Sequence, residues 1–314
     1  MSRASHCDHC TGSHTGRRSC LATATTKARG WLLIEHPGPW PDKIERIDGP
    51  APVVAAIARA SRARVRPQLI RRPGRRRAVP PMRVYVGGSL DGRVWLEERV
   101  LADPAELDAL DETALAGVAA GRQPGFGELV AGGGGPARPF GTPLLLVCTH
   151  GKRNVCCAQH GAPLARELAA RFDGLVWETS HVGGDRYAAN LVCLPHGLYY
   201  GNLDPAEAES AVRAYLRGEV ALKRLRGRAG MPEPAQAAEH HVRALTGALG
   251  VDSVSVESLT GTSPYEAVID VEGTRYRAVV EEAEPVHECE PGCQENVRSY
   301  VVSGITLLNE AALV

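Results

Sequence analysis

Apolar positions follow two alternating textures along the chain. Trp31-Leu32-Leu33-Ile34 is an unbroken apolar run stopped by Pro37-Gly38-Pro39, the mark of a buried strand. Val53, Ile57 and Ala60 then fall at helical spacing. Val65–Ile70 and Met82–Val86 read as strands, and 92–100 pairs with the second across a turn at 87–92. Asp103-Pro104-Ala105-Glu106 opens a helix with a capping residue and a proline in its first turn. After the glycine run 132–135 the same order returns. Residues 143–147 form an apolar strand, and 163–172 a helix with Leu164, Leu168 and Phe172 on one face. Another strand begins at 175–177, a hairpin joins 191–194 to 198–201, and Asp204 and Glu207 cap a last helix in capping-box spacing.

The repeat is one of pattern, without residue identity, and predicts two thioredoxin-like units. A third texture follows: a helix over 239–249, then alternating segments at 254–259, 265–271, 276–280 and 297–302. The expected organisation is α/β. A mobile arm (1–28) precedes a degenerate thioredoxin-like unit (29–131). Then come a second thioredoxin-like unit (140–228) and a small α+β C-terminal domain (235–314).

Composition narrows the function. The 314 residues balance 36 Lys and Arg against 36 Asp and Glu. That balance argues against nucleic acid or a membrane surface as partner, both of which call for excess cationic charge. No apolar run reaches the ~20 residues of a bilayer span, and the start lacks the apolar core of a signal peptide, so a cytoplasmic setting is expected. The nine cysteines are clustered and odd in number, unlike a disulfide framework, which directs attention to metal or thiol chemistry.

Two stretches concentrate that chemistry: Cys148 to Gly161, with Cys156, Cys157, His150 and His160, and Trp177 to Tyr187, with His181 and Asp185. A right-handed crossover from strand 143–147 through helix 163–172 to the strand at 175–180 makes the two strands parallel. Both stretches then leave the sheet at its carboxyl edge, where open α/β folds place ligands. Gly183 and Gly184 let the short segment between His181 and Asp185 bend and bring backbone N–H groups close. Thiolate with imidazole suits iron–sulfur or zinc, and Lys152, Arg153 and Arg186 flank the site with positive charge.

The combination of Arg29 to Trp40, Cys148 to Arg153 with Cys156-Cys157-Ala158, Trp177 to Gly184 and Leu194 to Gly201 resembles the sucrase/ferredoxin-like family. The resemblance covers roughly residues 25–225 and implies that 140–228 is a thioredoxin-like ferredoxin domain with a 2Fe–2S cluster on two cysteines and two histidines, and that the unit 29–131 is cluster-free. Carried over, Cys148, Cys157 and His181 are ligands. Asp185 stands at the second histidine's position, which would give the oxidised core a charge of about −1. Cys193 or Cys156 are the alternative fourth donors, and loss of the cluster is a further alternative. No paired carboxylates support a sucrase activity.

The expected function is that of an electron carrier rather than an enzyme, exchanging one electron with an unidentified reductase or acceptor protein. Its rivals are a thiol oxidoreductase or redox sensor using Cys156, Cys157 or Cys148, and a zinc-stabilised binding module. Cys193 reads as core, and His150 and His160 as loop hydrogen-bonding groups or outer partners of the ligands. Three further stretches read mainly as solvated: the N-terminal Cys7/Cys10/Cys20 segment, the His287 to Cys293 loop and the Arg59–Arg83 run. The last is also a candidate docking patch for an acidic redox partner.

Overall fold

The computed structural model describes residues 20–74, 81–90, 93–132, 141–283 and 298–308. The segments with Cys7 and Cys10 and with His287, Cys289 and Cys293 lie outside the described residues, as do Arg75–Arg77 and most of the glycine run.

A ten-stranded sheet runs through most of the chain. In the first unit, β1 (Gly30–Glu35), α1 (Ala51–Arg62) and β2 (Val65–Arg71) form a parallel crossover. The antiparallel strands β3 (Met82–Leu90) and β4 (Arg93–Leu101) follow, then a capped 3-10 turn (Pro104–Ala109), α2 (Glu112–Ala119) and the edge strand β5 (Glu128–Gly132). In the second, β6 (Leu144–Cys148), α3 (Val155–Arg171) and β7 (Val176–Thr179) repeat the crossover. The hairpin β8 (Leu191–Leu194) and β9 (Leu198–Tyr200), α4 (Pro205–Leu216) and the edge strand β10 (Leu225–Arg228) complete it. The sheet order is β10-β9-β8-β6-β7-β2-β1-β3-β4-β5. Each unit therefore has the thioredoxin-like order second, first, third, fourth, counted outward from a shared seam. At that seam the equivalent strands β2 and β7 pair antiparallel, Ile70 opposite Thr179 and Arg71 opposite Glu178.

Alternation along the strands divides the core. Leu32 and Ile34 face α1 and α2, whereas Leu145 and Val147 face α3 and α4. The opposite faces of both units, with Trp31, Leu33, Tyr85, Leu146, Trp177 and Tyr199, form one common cluster. The sheet curls to close it: the rings of Trp31 (β1) and Tyr199 (β9) lie 6.4 Å apart although four strands separate them in the sheet. Trp31 Nε1 donates to Ser89 Oγ at 2.7 Å, and Ser89 donates to the Pro195 carbonyl in the β8–β9 turn.

The third part packs α5 (Glu233–Thr246) on an antiparallel meander of β11 (Val254–Gly261), β12 (Tyr265–Val271), β13 (Thr274–Ala283) and β14 (Ser299–Leu308). A buried charge cluster ties it to β10, with Arg228 and Arg243 both on Glu239, at 3.3 and 2.9 Å.

Several expectations shift. Residues 20–28, read as part of a mobile arm, are packed between β10 and α5: Thr23 N–H donates to the Arg226 carbonyl at 3.0 Å, and Gln236 pairs with both backbone groups of Ala24. Gly87 and Gly88, read as a turn, lie inside β3. A Cβ on Gly88 would stand 2.6 Å from the Trp95 indole nitrogen, so the glycine serves close packing there. The helix of the second unit starts at Val155, ahead of the Pro163 that was expected to open it. No helix among the described residues is long and apolar enough to cross a membrane.

Candidate metal centre

Cys148 is the last residue of β6, its N–H donating to the Asn190 carbonyl at 3.1 Å. After a short turn, Asn154 caps α3, its side-chain oxygen accepting from Cys156 N–H at 2.9 Å. This cap sets the early helix start and places Cys157 in the first turn, against the end of β6. The close approach depends on Gly161, where a Cβ would lie 1.9 Å from the Cys148 carbonyl oxygen.

His181 follows β7, and its neighbours hold its backbone from two sides. Its N–H donates to His150 Nδ1 at 3.1 Å, and its carbonyl accepts from Arg66 Nη2 at 3.1 Å. His150 Nε2 donates to the Pro41 carbonyl at 2.7 Å, which fixes the neutral tautomer. Beside it the Gln68 amide, oriented to satisfy its hydrogen bonds, donates to the Ser180 carbonyl at 3.0 Å and accepts from Arg66 Nε at 2.9 Å. Because β2 runs antiparallel to β7 and pairs with it only through its last residues, its earlier residues run on beside the loop that follows β7, and the first unit thereby contributes Arg66 and Gln68 to the site.

One sulfur each from Cys148 and Cys157 and one ring nitrogen of His181 lie within 4.8 Å of one another. Cys157 Sγ stands 3.7 Å from His181 Nδ1. Both cysteines are 1% exposed, whereas the imidazole is partly open. The two thiols are hydrogen-bonded to each other. That bond holds Cys148 well below the ordinary thiol range against its burial, helped by His181, and pushes Cys157 far above it. Two thiolates and an imidazole are a soft donor set that fits iron–sulfur or zinc.

Asp185 is not drawn into this trio. Its Oδ1 is 3.9 Å from His181 Nε2, the ring nitrogen turned away from Cys157, and its other oxygen accepts from the Asn154 amide. Gly183 and Gly184 both have positive φ, +92° and +71°. Only at Gly184 is there no room for a side chain, since a Cβ would meet Arg226 at 2.3 Å. Lys152 and Arg153 are exposed and Arg186 is half-buried. Arg153 lines a cleft of about 580 Å³ with His150, His181, Arg66 and the Asp42–Arg46 segment.

Of the alternative donors, Cys193 packs with Leu145 and Val147, on the sheet face opposite Cys148, and so cannot reach the trio. Cys156 is buried beside Cys157 but outside the group. His160 lies on α3 with a buried Nε2 that has no hydrogen-bond partner among the described residues. Sequence reasoning missed Asn154, Arg66, Gln68 and Arg226. Only Asn154 carried a signal, as a capping residue ahead of an apolar run.

The chain is similar to known proteins in three comparisons. A stretch of the chain is 30% identical over 94 residues to altered inheritance of mitochondria protein 32 of Meyerozyma guilliermondii, covering 26% of this chain and 32% of that protein. The chain thus spans about a third of the length of this curated relative. A variant of the thioredoxin-like [2Fe-2S] ferredoxin from Aquifex aeolicus matches structurally with 19% identity and a TM-score of 0.23, covering 26% of this chain and 95% of that one. The sucrase/ferredoxin-like family model matches residues 21–227, which include both units and the whole Cys148–Cys157–His181 group. On that match, the chain belongs to the sucrase/ferredoxin-like family.

Proposed function

We propose that the protein is a one-electron carrier whose 2Fe–2S cluster is held by Cys148, Cys157 and His181. The observation that carries this reading is the meeting of two thiols and an imidazole from distant loops at one sheet edge, within 4.8 Å. Membership of a ferredoxin-like family supports it. Such a cluster takes up and releases one electron at a potential set by ligand type, hydrogen bonds and exposure.

The chain's own residues prepare the site. The buried cysteines keep water from the sulfur side, and His150, Arg66 and Ser180 hold the loop that presents Nδ1 of His181 toward the thiols. Asp185 stands on the opposite ring edge as an outer partner, orienting the imidazole and adding negative charge that lowers the potential. A redox partner with an acidic surface would meet the centre at its open side, where Lys152 and Arg153 are exposed.

A thiol–disulfide role draws on the same pair, because Cys148 and Cys157 share a hydrogen bond that favours one thiolate. Their burial argues against it, since a protein disulfide could not reach either sulfur. Anaerobic purification separates the readings. Red-brown protein with about two irons and two sulfides per chain, bleached by dithionite, is expected, and Cys148→Ser, Cys157→Ser or His181→Ala should abolish it. Colourless protein, with zinc or with no metal, overturns the carrier.

A further inference from the structure

Arg226 is buried to 2% exposure in β10, yet no carboxylate among the described residues stands against its charge. Nε donates to Thr23 Oγ1 at 3.0 Å and Nη2 to the Thr23 carbonyl at 2.6 Å. Nη1 donates to the Gly183 carbonyl at 3.0 Å and to Asn190 Oδ1 at 2.7 Å. Every one of these acceptors is neutral. The guanidinium also lies near the rings of Tyr187 and Tyr199, 5.0 and 5.4 Å from their centroids. Among the described residues no carboxylate pairs with it. The other buried arginines differ in this respect: Arg228 and Arg243 share Glu239, and the half-buried Arg71 pairs with Glu178 at 2.7 Å. An ion removed from water without an opposite charge is costly, so a site that holds one firmly implies a negative group nearby.

The partners of Arg226 lead to the metal centre. Gly183 lies two residues after His181. Asn190 accepts from Arg226 through its side chain, accepts the Cys148 N–H through its carbonyl at 3.1 Å, and donates to the Gly184 carbonyl at 2.8 Å. One residue thus joins the guanidinium to the strand end that carries Cys148. Tyr199 packs in the same cluster as Cys148 and Cys157. Gly184 has no room for a side chain because Arg226 fills that space.

We infer that Arg226 is the internal counter-cation of the metal centre, balancing the negative charge of the Cys148 and Cys157 thiolates and the cluster they hold. The inference rests on the carrier reading above. A fixed positive charge favours the reduced form, which carries one more negative charge, and so raises the midpoint potential.

The test compares wild type, Arg226→Gln, Arg226→Lys and Asn190→Asp, each as the full chain loaded anaerobically with iron and sulfide. Midpoints are read by redox titration followed by electron paramagnetic resonance. Arg226→Gln should move the equilibrium at least tenfold toward the oxidised form, a fall of about 59 mV for one electron. Arg226→Lys should stay within about threefold of wild type. Asn190→Asp keeps the arginine but supplies a carboxylate against it, and should lower the midpoint in the same direction. It serves as the deciding variant if Arg226→Gln does not fold. Loaded variants whose midpoints equal that of wild type, whatever their stability, overturn the counter-cation role alone. So does an Arg226→Lys shift as large as that of Arg226→Gln, which would assign the effect to the hydrogen-bond fork. A wild-type chain that takes up no cluster overturns the carrier reading and this inference together.

Discussion

His150 Nδ1 accepts the backbone N–H of His181 at 3.1 Å while its Nε2 donates to the Pro41 carbonyl at 2.7 Å. One neutral imidazole thereby spans the distance from the first unit to the loop of the second unit that carries a metal-ligand candidate. Replacing it with Phe leaves a partly buried donor and a partly buried acceptor unpaired, at a cost of about 1 kcal/mol each. His150→Phe should lower the iron bound per chain while the far-ultraviolet circular dichroism stays as in wild type. Full iron occupancy in this variant would show that the loop holds its shape without His150.

Gly161 offers a second test, at the contact between α3 and β6. A Cβ 1.9 Å from the Cys148 carbonyl oxygen forces the helix away from the strand. Gly161→Ala should destabilise the protein by about 1–3 kcal/mol, the usual range for overfilling a packed site. Urea unfolding would reveal it as a lower midpoint, with a matching loss of iron because Cys157 rides on the same helix, one turn earlier. An unchanged midpoint would mean that α3 accommodates the methyl by a shift too small to matter.

The third prediction concerns pH. His196, 2% exposed in the β8–β9 turn, makes a 2.8 Å hydrogen bond between Nδ1 and the Tyr215 hydroxyl, and its Nε2 lies 3.6 Å from Asp252 Oδ1. Burial pulls its pKa below the ordinary histidine value, with Asp252 opposing and Arg228 adding to the fall. On unfolding, His196 regains a pKa of about 6.5, so in mild acid the unfolded chain binds the extra proton first. Its contribution to stability is complete above about pH 6.5 and is lost as pH falls through the lower folded-state value. Asp252, held low chiefly by its hydrogen bond to His196, adds a further loss in stronger acid. Between about pH 7.5 and 5.5 the unfolding free energy of wild type should drop more than that of His196→Gln. Parallel pH profiles for the two proteins would remove His196 from the account.

How far the sequence discloses this architecture depends on what kind of residue each element uses. The runs 31–34 and 144–147 announce their strands because apolar residues occupy both faces. The strand–helix–strand order likewise brings the Cys148 and His181 loops to one edge by connection rules alone. β10 escapes such reading. Its Leu225-Arg226-Gly227-Arg228 looks like a solvated turn, and only tertiary partners on Thr23, Asn190 and Glu239 make burial of two arginines tolerable. The helix start at Asn154 was obscured by Pro163, which a local rule assigns to a first turn although it lies within α3. The place of Asp185 was hidden for another reason. A motif gives spacing, whereas the side of the imidazole that faces a carboxylate is decided by the Asn154 amide across the loop.

The seam between β2 and β7 joins equivalent strands in antiparallel pairing, and part of what steadies His181 comes from across that line, Arg66 directly and Pro41 by way of His150. The halves are therefore not beads on a string. A fragment cut at the linker would carry every sulfur and nitrogen of the trio and still lack the scaffolding that aims them. The half without donor atoms is, in that sense, as much a part of the centre as the half that holds them.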